Sequence, residues 1–221
     1  MSTVLVIGAS RGLGLELATQ YAAAGWRVIA TARTPQGLSR LQAVGAEALS
    51  LDVSDPASVS GLSWRLDGEK LDLALYVAGI MDKGTAQTPP TREAFDAVMH
   101  TNVLGAMQVI PQIAPMLQEA QGTLACISSR IGSQALTQTS DAWLYRISKA
   151  ALNMVVRTTQ AGYANMTVVA LHPGWVQTDM GGPAAPLTPR ECVTAMRATL
   201  ASLKPEHRGQ FISYDGSPLA W

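Results

Sequence analysis

Seven short apolar runs punctuate this chain, and each hands over to a small, polar or charged residue. The first is Thr3-Val4-Leu5-Val6-Ile7, ending at Gly8; the others are Arg27–Ala32, Ala46–Leu51, Leu71–Val77, Thr123–Ile127, Thr167–Leu171 and Gln210–Tyr214. Unbroken apolar runs of this length fit strands buried on both faces. Between them the apolar spacing changes to that of helices. Leu13, Leu17 and Tyr21, with Ala18 and Ala22 beside them, share one helical face, so Leu15–Ala24 is predicted helical, with Gly25 as its stop. Helices are also predicted over Leu38–Val44 and over Pro56–Leu66, the latter capped by Asp55 with proline at its first position. Phe95–Glu119 reads as a helix kinked by Pro111 and Pro115. Ala142–Gly162 is another, and Thr188–Leu203 starts with a capping box of Thr188 and Glu191 around Pro189. Ile80–Arg92 and Arg130–Asp141 read as loops, and Trp175–Leu187 as an irregular flap.

Strands alternating with helices imply an α/β fold: a doubly wound, Rossmann-type parallel sheet of seven strands with helices on both faces and right-handed crossovers. A length of 221 residues suits a single domain over 1–221. Hydrophobic residues make up 48% and charged residues 14%, which excludes a disordered chain. The formal net charge is zero with no arginine stripe, so no nucleic-acid partner is expected. No apolar run approaches ~18 residues, so no membrane span is expected. Met1-Ser2-Thr3 enters a strand directly, without the pattern of an export signal. Cys126 and Cys192 are far apart, which points to a reducing, cytoplasmic setting and to cysteines that act as small hydrophobes. His100, His172 and His207 have no ligand spacing, so no metal site is expected.

In such a sheet, ligands bind beyond the carboxyl ends of the strands. The first strand runs into Gly8-Ala9-Ser10-Arg11-Gly12-Leu13-Gly14, a glycine turn opening a helix. That arrangement cradles a pyrophosphate, because glycines allow close backbone approach and a helix N-terminus offers unpaired N–H groups. The second strand ends in Ala32-Arg33, where a site for NAD would place an acid to bind the ribose hydroxyls. Arg33, with Arg11 as a second cation, favours NADP(H) over NAD(H). Farther on, Tyr145 and Lys149 are one helical turn apart and share a face. An ammonium beside a phenol favours the phenolate, drawing a group of pKa ~10 toward useful acid–base chemistry. Ser128-Ser129 closes the strand before that helix.

Taken together, Gly8-x-x-x-Gly12-x-Gly14, Asp52-Val53, Asn102, Ser129, Tyr145-x-x-x-Lys149 and Pro173-Gly174 resemble the short-chain dehydrogenase/reductase family. The match is ordered and runs from Val4 to about Asp179. Ser-Ser-Arg-Ile-Gly-Ser and Tyr-Arg-Ile-Ser-Lys-Ala-Ala-Leu-Asn-Met are similar to its C-factor/sniffer-like carbonyl reductase branch. The resemblance implies an oxidoreductase that passes hydride between NADP(H) and a small-molecule carbonyl or alcohol. It implies that Ser129 hydrogen-bonds the substrate carbonyl and that Tyr145 is the general acid/base. Lys149 would lower the tyrosine pKa and hold the nicotinamide ribose, and Asn102 would help place Lys149 and a relay water. Gly8, Ser10, Arg11, Gly12, Leu13 and Gly14 would hold the cofactor, with Arg33. Asp52 and Val53 would meet the adenine, and Ala78 and Gly79 the adjoining ribose. Pro173, Gly174, Val176 and Thr178 would hold the nicotinamide end. A homo-oligomer, dimer or tetramer, is also implied, through Phe95–Glu119 and Ala142–Gly162.

Two departures stand out. The family usually has Asn-Asn-Ala-Gly where this chain has Tyr76-Val77-Ala78-Gly79, so contacts that brace the central sheet must be made differently. The interval from Ser129 to Tyr145 is also longer than usual, which predicts an extra loop at the substrate mouth. Met81, Ile131, Trp143, Trp175 and Met180 are candidates for an apolar pocket, or for packing within the flap or between subunits. A second functional reading retains nucleotide binding as a signalling or regulatory module with little turnover.

Overall fold

Strands β1 (Thr3–Ile7), β2 (Arg27–Ala32), β3 (Glu47–Ser50), β4 (Leu73–Tyr76), β5 (Thr123–Ile127), β6 (Thr167–His172) and β7 (Phe211–Ser213) form one sheet in the order β3-β2-β1-β4-β5-β6-β7. All six pairings are parallel. The computed structural model describes residues Met1–Trp221. The strand order reverses between β1 and β4, which opens a crevice above their carboxyl ends.

β1 is buried throughout, and its side chains alternate between two cores. Leu5 and Ile7 pack with Val109, Ile113, Leu152 and Val156 on one face. Val4 and Val6 pack with Leu17, Tyr21, Val193 and Met196 on the other. The helices that supply these residues are α1 (Gly12–Ala23), α6 (Gly105–Ala120), α7 (Trp143–Gly162) and α8 (Pro189–Ala201). The sheet is therefore covered on both sides, as its apolar runs require.

α2 spans Pro35–Ala43, capped by the Thr34 hydroxyl on Gly37 N. α8 carries the expected capping box of Thr188 and Glu191. The helix expected over Pro56–Leu66 is instead two short ones, α3 (Pro56–Ser60) and α4 (Leu62–Arg65), parted at Gly61. The long helix differs in a more informative way. α5 (Arg92–Met99) and α6 are joined by a wide, π-helical turn at His100–Leu104, while α6 runs through both prolines. Pro111 and Pro115 are exposed, so the hydrogen bonds they cannot donate fall on the solvent side.

Candidate active site

α7 brings the chemistry to the end of β5. Tyr145 is 7% exposed and Lys149 3%, so both side chains lie inside the protein. The Lys149 ammonium donates to the Ile127 carbonyl at 2.8 Å and lies 5.5 Å from the centre of the Tyr145 ring. The Ser129 hydroxyl reaches the Tyr145 phenol and pulls its pKa down, but burial is the larger effect and pushes it up to about 12. The sequence expectation was the opposite, a phenol lowered by its lysine. The ammonium sits too far along the ring, and is itself too deep, to offset the cost of burying a phenolate. Burial lowers Lys149 to about 8, against a small opposing pull from Cys126.

Asn102 sits in the π-turn, fully buried. Its side-chain oxygen accepts from Ile80 N at 2.8 Å, and its amide donates to Ile80 O and to Ser148 Oγ, each at 2.9 Å. Ser148 Oγ donates in turn to Tyr145 O at 2.7 Å. Asn102 thus ties α7 to the segment after β4. Its side chain is used on Ile80 and Ser148 and not on Lys149. A Cβ on Gly79 would lie 3.4 Å from both Asn102 Oδ1 and Lys149 Nζ, so Gly79 keeps space open beside them.

The glycine turn has the features of an anion cradle. Gly8 adopts φ +86°, and a Cβ there would approach the Ala78 backbone to 2.7 Å. A Cβ on Gly14 would meet Gly8 O at 2.4 Å, so the turn can close only with glycine at both positions. No side chain caps α1, and its first turn holds no acid. Its leading N–H groups therefore suit a bound pyrophosphate. Thr31 Oγ1 accepts from Gly8 N at 3.0 Å and fixes the start of the turn. Nearby, Arg33 faces Asp52 at 4.0 Å, and Arg11 pairs with Asp179 of the flap. Asp52 also accepts from Ser54 N and Oγ.

Comparison with known proteins settles the family. The profile of the short chain dehydrogenases matches residues 2–186. The chain belongs to the short-chain dehydrogenase/reductase family. It is 43% identical over 123 residues to the C-signal of Myxococcus xanthus, which covers 54% of this chain and 74% of that protein. Its fold is similar to the NADPH-bound carbonyl reductase from chicken fatty liver, with a TM-score of 0.91 and 33% identity over 100% of this chain and 99% of that one. It is also similar to the carbonyl reductase Sniffer of D. melanogaster, with a TM-score of 0.90 and 26% identity over 100% of both chains. These likenesses place it in the sniffer/C-factor-like branch as an NAD(P)-dependent oxidoreductase.

In this dehydrogenase the flap is more ordered than the glycine and proline content suggests. Val176 and Leu187 form a parallel bridge, with Gln177 N donating to Leu187 O at 2.8 Å. Gly174 has φ +83°, and a Cβ there would strike Leu187 and the Tyr214 ring. Trp175 is 55% exposed and its indole N–H donates to Gly181 O, so it closes the flap on itself. Ile131 and Trp143 line a cavity of about 290 Å³ with Arg146, Ile147 and Ala150, on a different face of α7 from Tyr145 and Lys149. The extra loop before α7 is fastened by Arg146, which donates to Ile131 O, Asp141 O and Thr139 Oγ1 and pairs with Asp141. Asp141 also bridges to Thr85, holding the loop to the 80–92 segment.

Three contributors were not picked out from sequence. Arg40 donates to Ser10 O at 3.3 Å and brings a third cation to the rim of the glycine turn. Ser148 links Asn102 to α7. His172, at the end of β6, is lowered to about 4 by burial and then by the Arg130 guanidinium, against an opposing pull from Asp215. Its place at the end of β6 was the only cue in the sequence. Between pH 6.5 and about 4 the unfolded chain binds a proton that folded His172 refuses, so stability falls as pH drops through that window. His172→Asn is expected to flatten this part of the dependence of urea midpoint on pH. Equal slopes for the two proteins would contradict the assignment.

Proposed function

We propose that this dehydrogenase reduces a ketone or aldehyde with NADPH, using Tyr145 as proton donor. The observation that carries the reading is the burial of Tyr145 and Lys149 together on α7, 5.5 Å from ring centre to ammonium, at the end of the strand that Ser129 follows. The cofactor would supply the hydride. Gly8, Gly12, Gly14 and the N-terminus of α1 suit its pyrophosphate, with Ser10 and Leu13 in the same turn. Asp52, Val53, Ala78 and Gly79 line the crevice on the adenosine side, and Pro173, Gly174, Val176 and Thr178 the nicotinamide side.

Ser129 orients the substrate oxygen toward Tyr145. A phenol held at about 12 is protonated at neutral pH, which suits an acid that delivers its proton as charge develops on that oxygen. Oxidation of an alcohol needs the phenolate and so would accelerate only as pH rises. Lys149, 5.5 Å from the centre of the Tyr145 ring, would hold the nicotinamide ribose beside it. Asn102, through Ser148 and Ile80, fixes α7 against the floor of the crevice.

The same reading includes a homo-oligomer, supported by exposed Phe95, Leu104 and Met107 on the α5–α6 side and Ile147 and Met154 on α7. It also includes a cytoplasmic setting, which suits two free and buried cysteines. No helix is long and apolar enough to cross a membrane.

A panel of ketones and aldehydes with NADPH and NADH, followed by loss of nicotinamide absorbance, tests the function. Turnover with NADPH on members of the panel is expected. Tight NADPH binding without turnover on any member would overturn the reading in favour of a binding module.

A further inference from the structure

Tyr76 ends β4 with its whole side chain buried in the core beneath the crevice. Burying a phenol is tolerated when its hydroxyl finds a partner. Here the hydroxyl donates to Thr101 O at 2.8 Å. Thr101 lies in the π-turn at His100–Leu104, immediately before Asn102. A wide turn departs from regular i→i+4 bonding, and Tyr76 supplies a side-chain donor to one of its carbonyls.

The space for this contact is made by Gly105, the residue that follows the turn. A Cβ on Gly105 would lie 2.6 Å from Tyr76 Oη and 2.7 Å from Val53 O. From the turn, the connections continue through Asn102 to Ile80 and Ser148, and through Ser148 to the Tyr145 carbonyl. One hydroxyl on β4 thus meets the backbone of the segment that presents Asn102. The Tyr76 side chain is long enough to carry its hydroxyl from β4 to the turn.

We propose that Tyr76 is a positioning residue for the active site, holding through the Thr101 carbonyl the π-turn that sets Asn102. The proposal rests on the catalytic reading given above. Losing the hydroxyl removes the side-chain donor from the Thr101 carbonyl and lets the turn shift, while the ring of phenylalanine still fills the core.

Tyr76→Phe is expected to lower kcat about tenfold or more with KM for NADPH changed by less than about twofold. The pH profile of kcat is expected to shift as well, which a purely structural loss would not cause. Asn102→Ala is expected to lower kcat further, and adding Tyr76→Phe to it should cost little more. Full turnover in Tyr76→Phe, or equal losses in the presence and absence of Asn102, would overturn the proposal. Full turnover in Asn102→Ala would defeat this inference while leaving carbonyl reduction standing, whereas no turnover by the wild type on any panel member would defeat the catalytic reading on which it rests. If Tyr76→Phe does not fold, Gly105→Ala displaces the hydroxyl without deleting it. The same fall in kcat is expected there, and an unchanged kcat would refute the proposal.

Discussion

Tyr145→Phe is expected to reduce kcat by ~10³-fold while leaving NADPH affinity nearly unchanged. The substitution removes one oxygen and keeps the ring that packs between Ser129 and Lys149. The Ser129 hydroxyl acts on the Tyr145 phenol, whose proton is held firmly because burial raises its pKa to about 12. Without it the substrate oxygen would have to take its proton from water or from Ser129, a much poorer acid. On the proposed reading the nucleotide is held by the glycine turn and the flap, which the substitution does not touch. Steady-state turnover beside NADPH titration by fluorescence or calorimetry separates the two effects. Undiminished reduction across a broad carbonyl panel would remove Tyr145 from the mechanism.

Neutralising Arg33 is expected to weaken NADPH binding by about 10- to 100-fold while barely changing NADH, the scale of one charge-assisted hydrogen bond. Arg11→Ala should act in the same direction, and Arg40, which reaches Ser10 O, provides a third positive charge at this rim. Both principal arginines have acidic neighbours, Asp52 for Arg33 and Asp179 for Arg11. These pairs are largely exposed, with side-chain exposures of 62% and 36% in the first and 68% and 73% in the second. Exposed pairs contribute about 0–1 kcal/mol, so either guanidinium can turn to a 2′-phosphate at small cost. Calorimetry with both cofactors on the wild type and on Arg33→Ala checks this. Tighter binding of NADH by the wild type would refute the roles given to Arg33 and Arg11.

Features encoded within a few residues were legible in the sequence. The apolar runs, the glycine turn and the capping box of α8 depend on neighbours in the chain, and all appear where the pattern puts them. Tyr145 and Lys149 were legible because one helical turn fixes their common face. What was not legible depends on partners far away in sequence. The π-turn at His100–Leu104 is matched to Tyr76, and no spacing within Phe95–Glu119 announces it. The prolines drew attention to the wrong part of that helix because their exposure was unknown. Ile131 and Trp143 were grouped with the substrate mouth, whereas the turn at 130–132 and the start of α7 bring them to a separate cavity. The direction of the Tyr145 pKa turned on depth against charge, a balance that needs the 5.5 Å separation and the burial of both groups.

The two cores bear on how β1 sets the position of the glycine turn. Leu5 and Ile7 face one core while Val4 and Val6 face the other, so from Val4 to Ile7 no polar side chain marks which face is which. In a strand with one wet face, a slip of one residue would drive polar groups inward and be rejected at once. Here such a slip would exchange one aliphatic set for another and leave the interior dry. The alignment must be enforced at the strand's end, where Gly8 lies against the Ala78 backbone and a Cβ has no room. β1 therefore works as a ruler read from its far tip: its length, more than the identity of its side chains, delivers the turn to its place over the crevice.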